Sequence, residues 1–344
     1  MDGGHEGIRR SELEKLPYFK SQLEDGRLFF ILTYYERADE SWHLYLPTGK
    51  GSLQRMLAGE VISGQYLATK PADVATDIES PLGTLIYQHL SYPRMERELP
   101  PILNDIHQCA AVLEKYHVLW RHRAKAVGLE TSILVQSELE YLLLLLRSYY
   151  DALQALVTAI ADQLSVTASG EKALNKPLPP SFAKVALFEN RRYPWAEIQE
   201  RYKLPENLAK WYEQEAEVFE LLRALRDRIV HRGGRLPTIF ECEGGFAVDP
   251  SDPPWDQLHL WPADQLDGKL GSLRIIFAGL IRHALGASSR LSLAIRSCVV
   301  LPPTALKDHV RLFIRSPFGA RLVQLDAMMA QPWEGLDASA PIQQ

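Results

Sequence analysis

The chain has 344 residues, 46% hydrophobic and 24% charged, with a net charge of -5. That composition fits a folded globular protein of one elaborated domain or two, and excludes a low-complexity or collagen-like chain. Three widely spaced cysteines, Cys109, Cys242 and Cys298, form no C-x-x-C pair, so neither a zinc site nor a disulfide framework is expected.

Residues 1–100 have a mixed α/β character. The runs 28–35 and 42–46 are aromatic and β-branched and flank a polar turn, which predicts a hairpin. The opening residues lack an apolar core, so no secretory leader is expected there. Pro93, Pro100 and Pro101 punctuate the chain before the next block.

From Ile102 the period becomes helical: Ile102, Ile106, Ala110, Leu113, His117 and Trp120 predict a helix to about 126. Ser137 with Glu140 suggests a capping box for a second helix, which could also begin nearer Thr131, and which runs to about 164. Leu142 to Leu146 make it apolar all round, the mark of a helix enclosed by neighbours. Its longest apolar run is cut by Arg147 and Asp151, far short of the ~20 residues a membrane span needs. A short helix over 181–189 follows a proline-rich loop. Past Pro205 a longer helix is expected to reach His231, with Val218, Leu222, Leu225 and Ile229 as its apolar stripe and Gly233-Gly234 as its stop. Short strands at 238–242 and 246–248, a helix over 271–299 and another over 317–330 complete the reading. The fold expected is mainly α. A helical bundle over 101–300 carries short β-hairpin elements before and within it (the inner one near 237–262), and 301–344 is a C-terminal helix and loose tail.

The chemistry concentrates at the end of the helix that closes on His231. Between Arg223 and Arg235 five arginines (223, 226, 228, 232 and 235) stand against one acid, Asp227. Such a basic patch on an acidic chain points to an anionic partner, phosphate above all. Arg223, Arg228, Arg232 and Arg235 are therefore the candidate RNA-backbone contacts. Within the patch, Arg226 precedes His231 by five positions. The same loose pattern recurs at Arg37 and His43, inside the predicted hairpin, where no function is expected.

The string Leu225-Arg226-Asp227-Arg228-Ile229-Val230-His231-Arg232-Gly233, together with Arg147-Ser148-Tyr149-Tyr150-Asp151 on the preceding long helix, resembles the HEPN superfamily over residues 104–300. Those proteins are helical bundles with a metal-independent ribonuclease motif at the end of a late helix. Asp227 stands where asparagine is commoner. The resemblance implies an endoribonuclease of toxin–antitoxin or defence type that needs no cofactor or metal, with Arg226 and His231 catalytic. It also implies a homodimer and an antitoxin protein as partner. The alternative is a non-catalytic module binding RNA, a nucleotide or a protein.

A histidine near neutral pKa can take the 2′-hydroxyl proton or give one to the leaving oxygen, and a guanidinium can meet two phosphate oxygens. Five helical positions set Arg226 and His231 about 140° apart, whereas Asp227 and His231 share a face. Asp227 is thus expected either to orient the imidazole or to form a surface ion pair with His231 or with Arg223. Arg147 and Asp151, one turn apart on a buried helix, are expected either to pair internally or to support the same site. His107, His117 and His122 have no acidic partners in metal-ligand register and are read as structural or surface residues. A cytoplasmic location without membrane contact is expected.

Overall fold

The computed structural model describes residues 32–48, 52–90, 93–125, 131–163, 178–188, 191–231, 237–301 and 309–334. The chain divides into two compact units. One is Met1–Asn104, Asp151–Ala216 and Ala287–Ala320; the other is Asp105–Tyr150, Glu217–Gly286 and Arg321–Gln344.

The first unit is built on a six-stranded mixed sheet. The strands are β1 (Leu32–Glu36), β2 (Ser41–Thr48), β3 (Ser52–Ala58), β4 (Gly64–Ala68), β5 (Ile78–Glu79) and β11 (Arg311–Arg315), in the order β3-β2-β1-β4-β11-β5. All neighbours are antiparallel except β1 and β4. The predicted hairpin is β1–β2, with Tyr35 opposite Trp42. Alternation along the strands places Tyr35, Trp42, Tyr66, Ala68 and Phe313 in one buried cluster. Tyr34, Leu67 and Leu312, of opposite parity, are buried too, so the central strands are covered on both faces.

Helix α1 (Pro81–His89) starts at Ser80, whose hydroxyl accepts from Gly83 N at 3.1 Å. Gly83 permits the close approach to β11: a Cβ there would stand 2.3 Å from Leu312 Cδ2. At the other end of β11, Arg315 Nε donates to the buried Asp77 at 2.9 Å. The same carboxylate accepts from Tyr66 Oη at 2.6 Å, Asp73 N at 3.0 Å and Thr76 Oγ1 at 3.0 Å.

Four long helices follow the expected order with different limits: α2 (Pro93–His122), α3 (Thr131–Gln163), α6 (Glu206–His231) and α7 (Leu273–Cys298), with short α4 (Phe182–Ala186) and α5 (Trp195–Tyr202) between. The two-residue strands β6 (Leu187–Phe188) and β7 (Arg191–Arg192) pair between α4 and α5. Pro100 and Pro101 lie inside α2 and do not precede it. The helix persists because Leu99, Ile102, Leu103 and Ile106 bury one continuous face, which outweighs the lost proline donors. Ser137 is no cap; its hydroxyl bonds back to Ile133 O at 3.1 Å inside α3. Nor is α3 enclosed all round, since Tyr141 and Leu144 are exposed while Leu142, Leu143, Leu145 and Leu146 are buried.

In the second unit, β8 (Phe240–Cys242), β9 (Gly245–Val248) and β10 (Gly271–Ser272) form a small antiparallel sheet. Phe246 packs edge-on against Tyr116 and Trp120, at centroid distances of 5.7 and 5.4 Å. Beyond β11, α8 (Gly319–Val323) and α9 (Leu325–Ala330) replace the single helix predicted over 317–330.

The fold is α/β, and the expected mainly α bundle is corrected by the six-stranded sheet. The reading failed because β5 has two residues and β11 has five. β11 also joins β4 across more than 240 positions of sequence, which no local pattern reports.

Candidate functional site

The end of α6 takes its orientation from its buried face. Phe219, Leu222 and Leu225 are at most 1% exposed, so Arg223, Arg226 and Asp227 fall on the solvent side. Arg226 Nη1 donates to Asp227 Oδ1 at 2.7 Å, and Arg223 Nε lies 3.7 Å from Asp227 Oδ2. One carboxylate thus holds two guanidinium groups on one turn. The three side chains are 34–44% exposed, where ion pairs contribute little stability. Their effect is positional. A guanidinium carries five N–H donors, so the bond to Asp227 leaves Arg226 able to meet a phosphate.

Helix α6 continues to His231, which puts the backbone of His231 one turn beyond Asp227. The side chains of Arg228 and His231, and the whole of Arg232, Gly233, Gly234 and Arg235, lie outside the described residues.

Arg147 lies over the Phe219 ring at 5.9 Å, two turns before Arg226 on α6. Asp151 Oδ1 accepts from Phe182 N at 3.2 Å and so caps α4, whose own N-cap residue Ser181 makes no side-chain bond.

Two constellations escaped the sequence reading. At the β1–β2 turn, Ser41 Oγ lies 2.7 Å from His43 Nε2 and also donates to Asp39. Arg55 Nη2 approaches that same ring nitrogen at 2.8 Å. The Ser41 hydroxyl proton goes to Asp39 and not to the ring, which is not the arrangement of a serine nucleophile with its base.

The second lies in the other unit. The segment 331–334 is tied down by Arg274 to Gln331 O at 3.4 Å, Ser272 Oγ to Pro332 O at 2.6 Å and Trp333 Nε1 to Gln265 O at 2.8 Å. Glu334 N donates to Gly244 O at 2.7 Å. A Cβ on Gly245 would come within 2.8 Å of Glu334 Oε2, so glycine makes room for the carboxyl group. Neither Glu334 oxygen, nor the Tyr116 hydroxyl, has a hydrogen-bond partner among the described residues. Burial raises the Glu334 carboxyl to about 7, against the opposing pull of Arg274, the neighbouring Tyr116 hydroxyl, Arg123 and Arg321. His117 in the same unit is lowered to about 4 by burial, then by Arg321 and Arg121, and is neutral at pH 7. Only the tryptophan and glutamate near the chain's end hinted that this stretch is anchored, and it reads as loose tail.

No family model, curated protein or solved structure matches this chain. Among the described residues, no helix is long and apolar enough to cross a membrane, and no group of three His, Cys, Asp or Glu side chains could hold a metal.

Proposed function

We propose that this chain binds RNA through the arginine-rich end of α6, by its phosphate backbone. One observation carries the reading: Asp227 fixes Arg223 and Arg226 side by side on the exposed face, at the start of a stretch with five arginines and one acid. Paired guanidinium groups match successive phosphate oxygens, and contacts of this kind position a nucleic acid without reading its sequence. Fluorescence anisotropy with labelled single-stranded RNA tests it. Saturable binding that weakens on Arg223→Gln/Arg226→Gln supports the reading, and unchanged binding by that variant refutes it.

A second reading is favoured by the placement of His231 one turn after Asp227. In it the chain is a metal-independent endoribonuclease of HEPN type, acting as a toxin or defence effector. His231 takes the 2′-hydroxyl proton, the 2′-oxygen attacks phosphorus, and the P–O5′ bond breaks. Arg226 meets the gathering charge on the phosphate oxygens. A histidine of a second copy gives the leaving oxygen its proton, so this reading requires a homodimer. The exposed Leu134, Tyr141 and Leu144 along α3 offer that dimer an apolar face. An antitoxin protein is the partner this reading adds. Cleavage of RNA in EDTA that disappears with His231→Ala is the expected result, and cleavage surviving it excludes the histidine mechanism.

A further inference from the structure

In the first unit, α1, α7 and the β5–β11 edge of the sheet enclose a cavity of about 290 Å³. Its polar lining is preset. Thr84, Gln88 and Ser292 are 2–4% exposed, and each is fixed by a backbone partner. Thr84 Oγ1 accepts from Leu312 N at 2.8 Å, Gln88 Nε2 donates to Val310 O at 2.9 Å, and Ser292 Oγ donates to Pro81 O at 3.1 Å. Since Thr84 Oγ1 acts there as acceptor, its own O–H is left to donate.

The charged part of the lining is Arg296 and Arg311 with one carboxylate, Glu79, and His89 lies beside them. Arg311 lies 3.6 Å from Glu79. Arg296 Nη2 donates to Gln88 Oε1 at 3.2 Å, a neutral acceptor, and no carboxylate lies within ion-pair distance of it among the described residues. Arg296 is thus the guanidinium of the lining that has no carboxylate beside it among the described residues. Arg296 is an exposed residue overall, and partial burial, then the charge of Arg311, lowers its pKa.

We propose that this cavity binds a small phosphate-bearing ligand, free or esterified to a small organic group. Arg296 and Arg311 would grip the phosphate oxygens, with the Thr84 hydroxyl as a third donor. The volume is at the lower end for ligand sites and too small for a dinucleotide. The site is independent of the RNA reading, for it shares no residue with the end of α6.

Calorimetric titration of the full chain with inorganic phosphate and, separately, with glycerol 3-phosphate tests the proposal. Saturable binding of at least one probe in the micromolar to millimolar range is expected. Tighter binding of the ester identifies an organic phosphate, and tighter binding of inorganic phosphate identifies the free anion. Arg296→Gln should weaken binding about tenfold or more. Leu293→Trp, at a lining position that is 66% exposed, should block the cavity while leaving the fold intact, as judged by the thermal midpoint. Absence of saturable binding to the wild-type chain, or binding unchanged in a folded Leu293→Trp, would overturn the proposal.

Discussion

Asp77 and Glu334 are both carboxyl groups withdrawn from water, and the two units treat them in opposite ways. Asp77 accepts from four donors, one of them the Arg315 guanidinium, and both of its oxygens are engaged. Glu334 has three arginines and the Tyr116 hydroxyl in its surroundings but, among the described residues, no hydrogen bond of good geometry, so burial prevails and the group holds its proton to about pH 7. Proximity of opposite charge is therefore not enough. Donors that reach the oxygens of a buried carboxyl group offset its lost hydration, and a carboxyl group without them is pushed toward its protonated form. At the end of α6 a third carboxylate, Asp227, stays at the surface, and the arginine charge around it is available to a partner.

The largest effect that would break this comparison is at Asp77. Asp77→Ala removes the partner of a guanidinium whose side chain is only 10% exposed, and should cost about 3–5 kcal/mol in a denaturant titration. A loss under 1 kcal/mol would mean that the four donors carry no weight.

Glu334→Gln should act in the other direction. The folded carboxyl titrates at about 7 and the unfolded one at its ordinary value of 4.5. The folded state thus holds more protons between those values, and wild-type stability falls as pH rises from about 4.5 to 7. The glutamine variant lacks that slope. At pH 8 it should be more stable than wild type by on the order of 2–3 kcal/mol, with the gain vanishing near pH 4. Thermal midpoints at the two pH values check it, and a destabilised variant at pH 8 contradicts the sign.

A smaller effect is expected at Gly83, where alanine must push Leu312 aside. About 1–3 kcal/mol of destabilisation should follow, read from the same denaturant titration. The smallest effect on stability belongs to Asp227→Asn, under ~0.5 kcal/mol by thermal melt, because its ion pairs are exposed.

What the sequence made legible follows the same division. Helical periods located α3, α6 and α7, and the alternating aromatic runs located β1–β2, because each signal is local. The charge pattern at 223–235 was legible too, and so was the Arg223–Asp227 pair, one helical turn apart; the bond from Arg226 to the adjacent Asp227 was not. β11, the Asp77–Arg315 contact and the anchoring of Glu334 depend on residues far apart in the chain. Arg315 and Asp77 are 238 positions apart, and a five-residue strand near the end carries no period long enough to announce its place between β4 and β5.

The most direct test of the central claim is the salt dependence of RNA binding. For single-stranded RNA the slope of log K against log salt concentration is about −0.7 for each phosphate neutralised. The account predicts a steep slope for the wild-type chain, reduced by about 1.4 in Arg223→Gln/Arg226→Gln, with the fold preserved. A slope identical in the two proteins would place the RNA elsewhere, and no binding at low salt would contradict the account altogether.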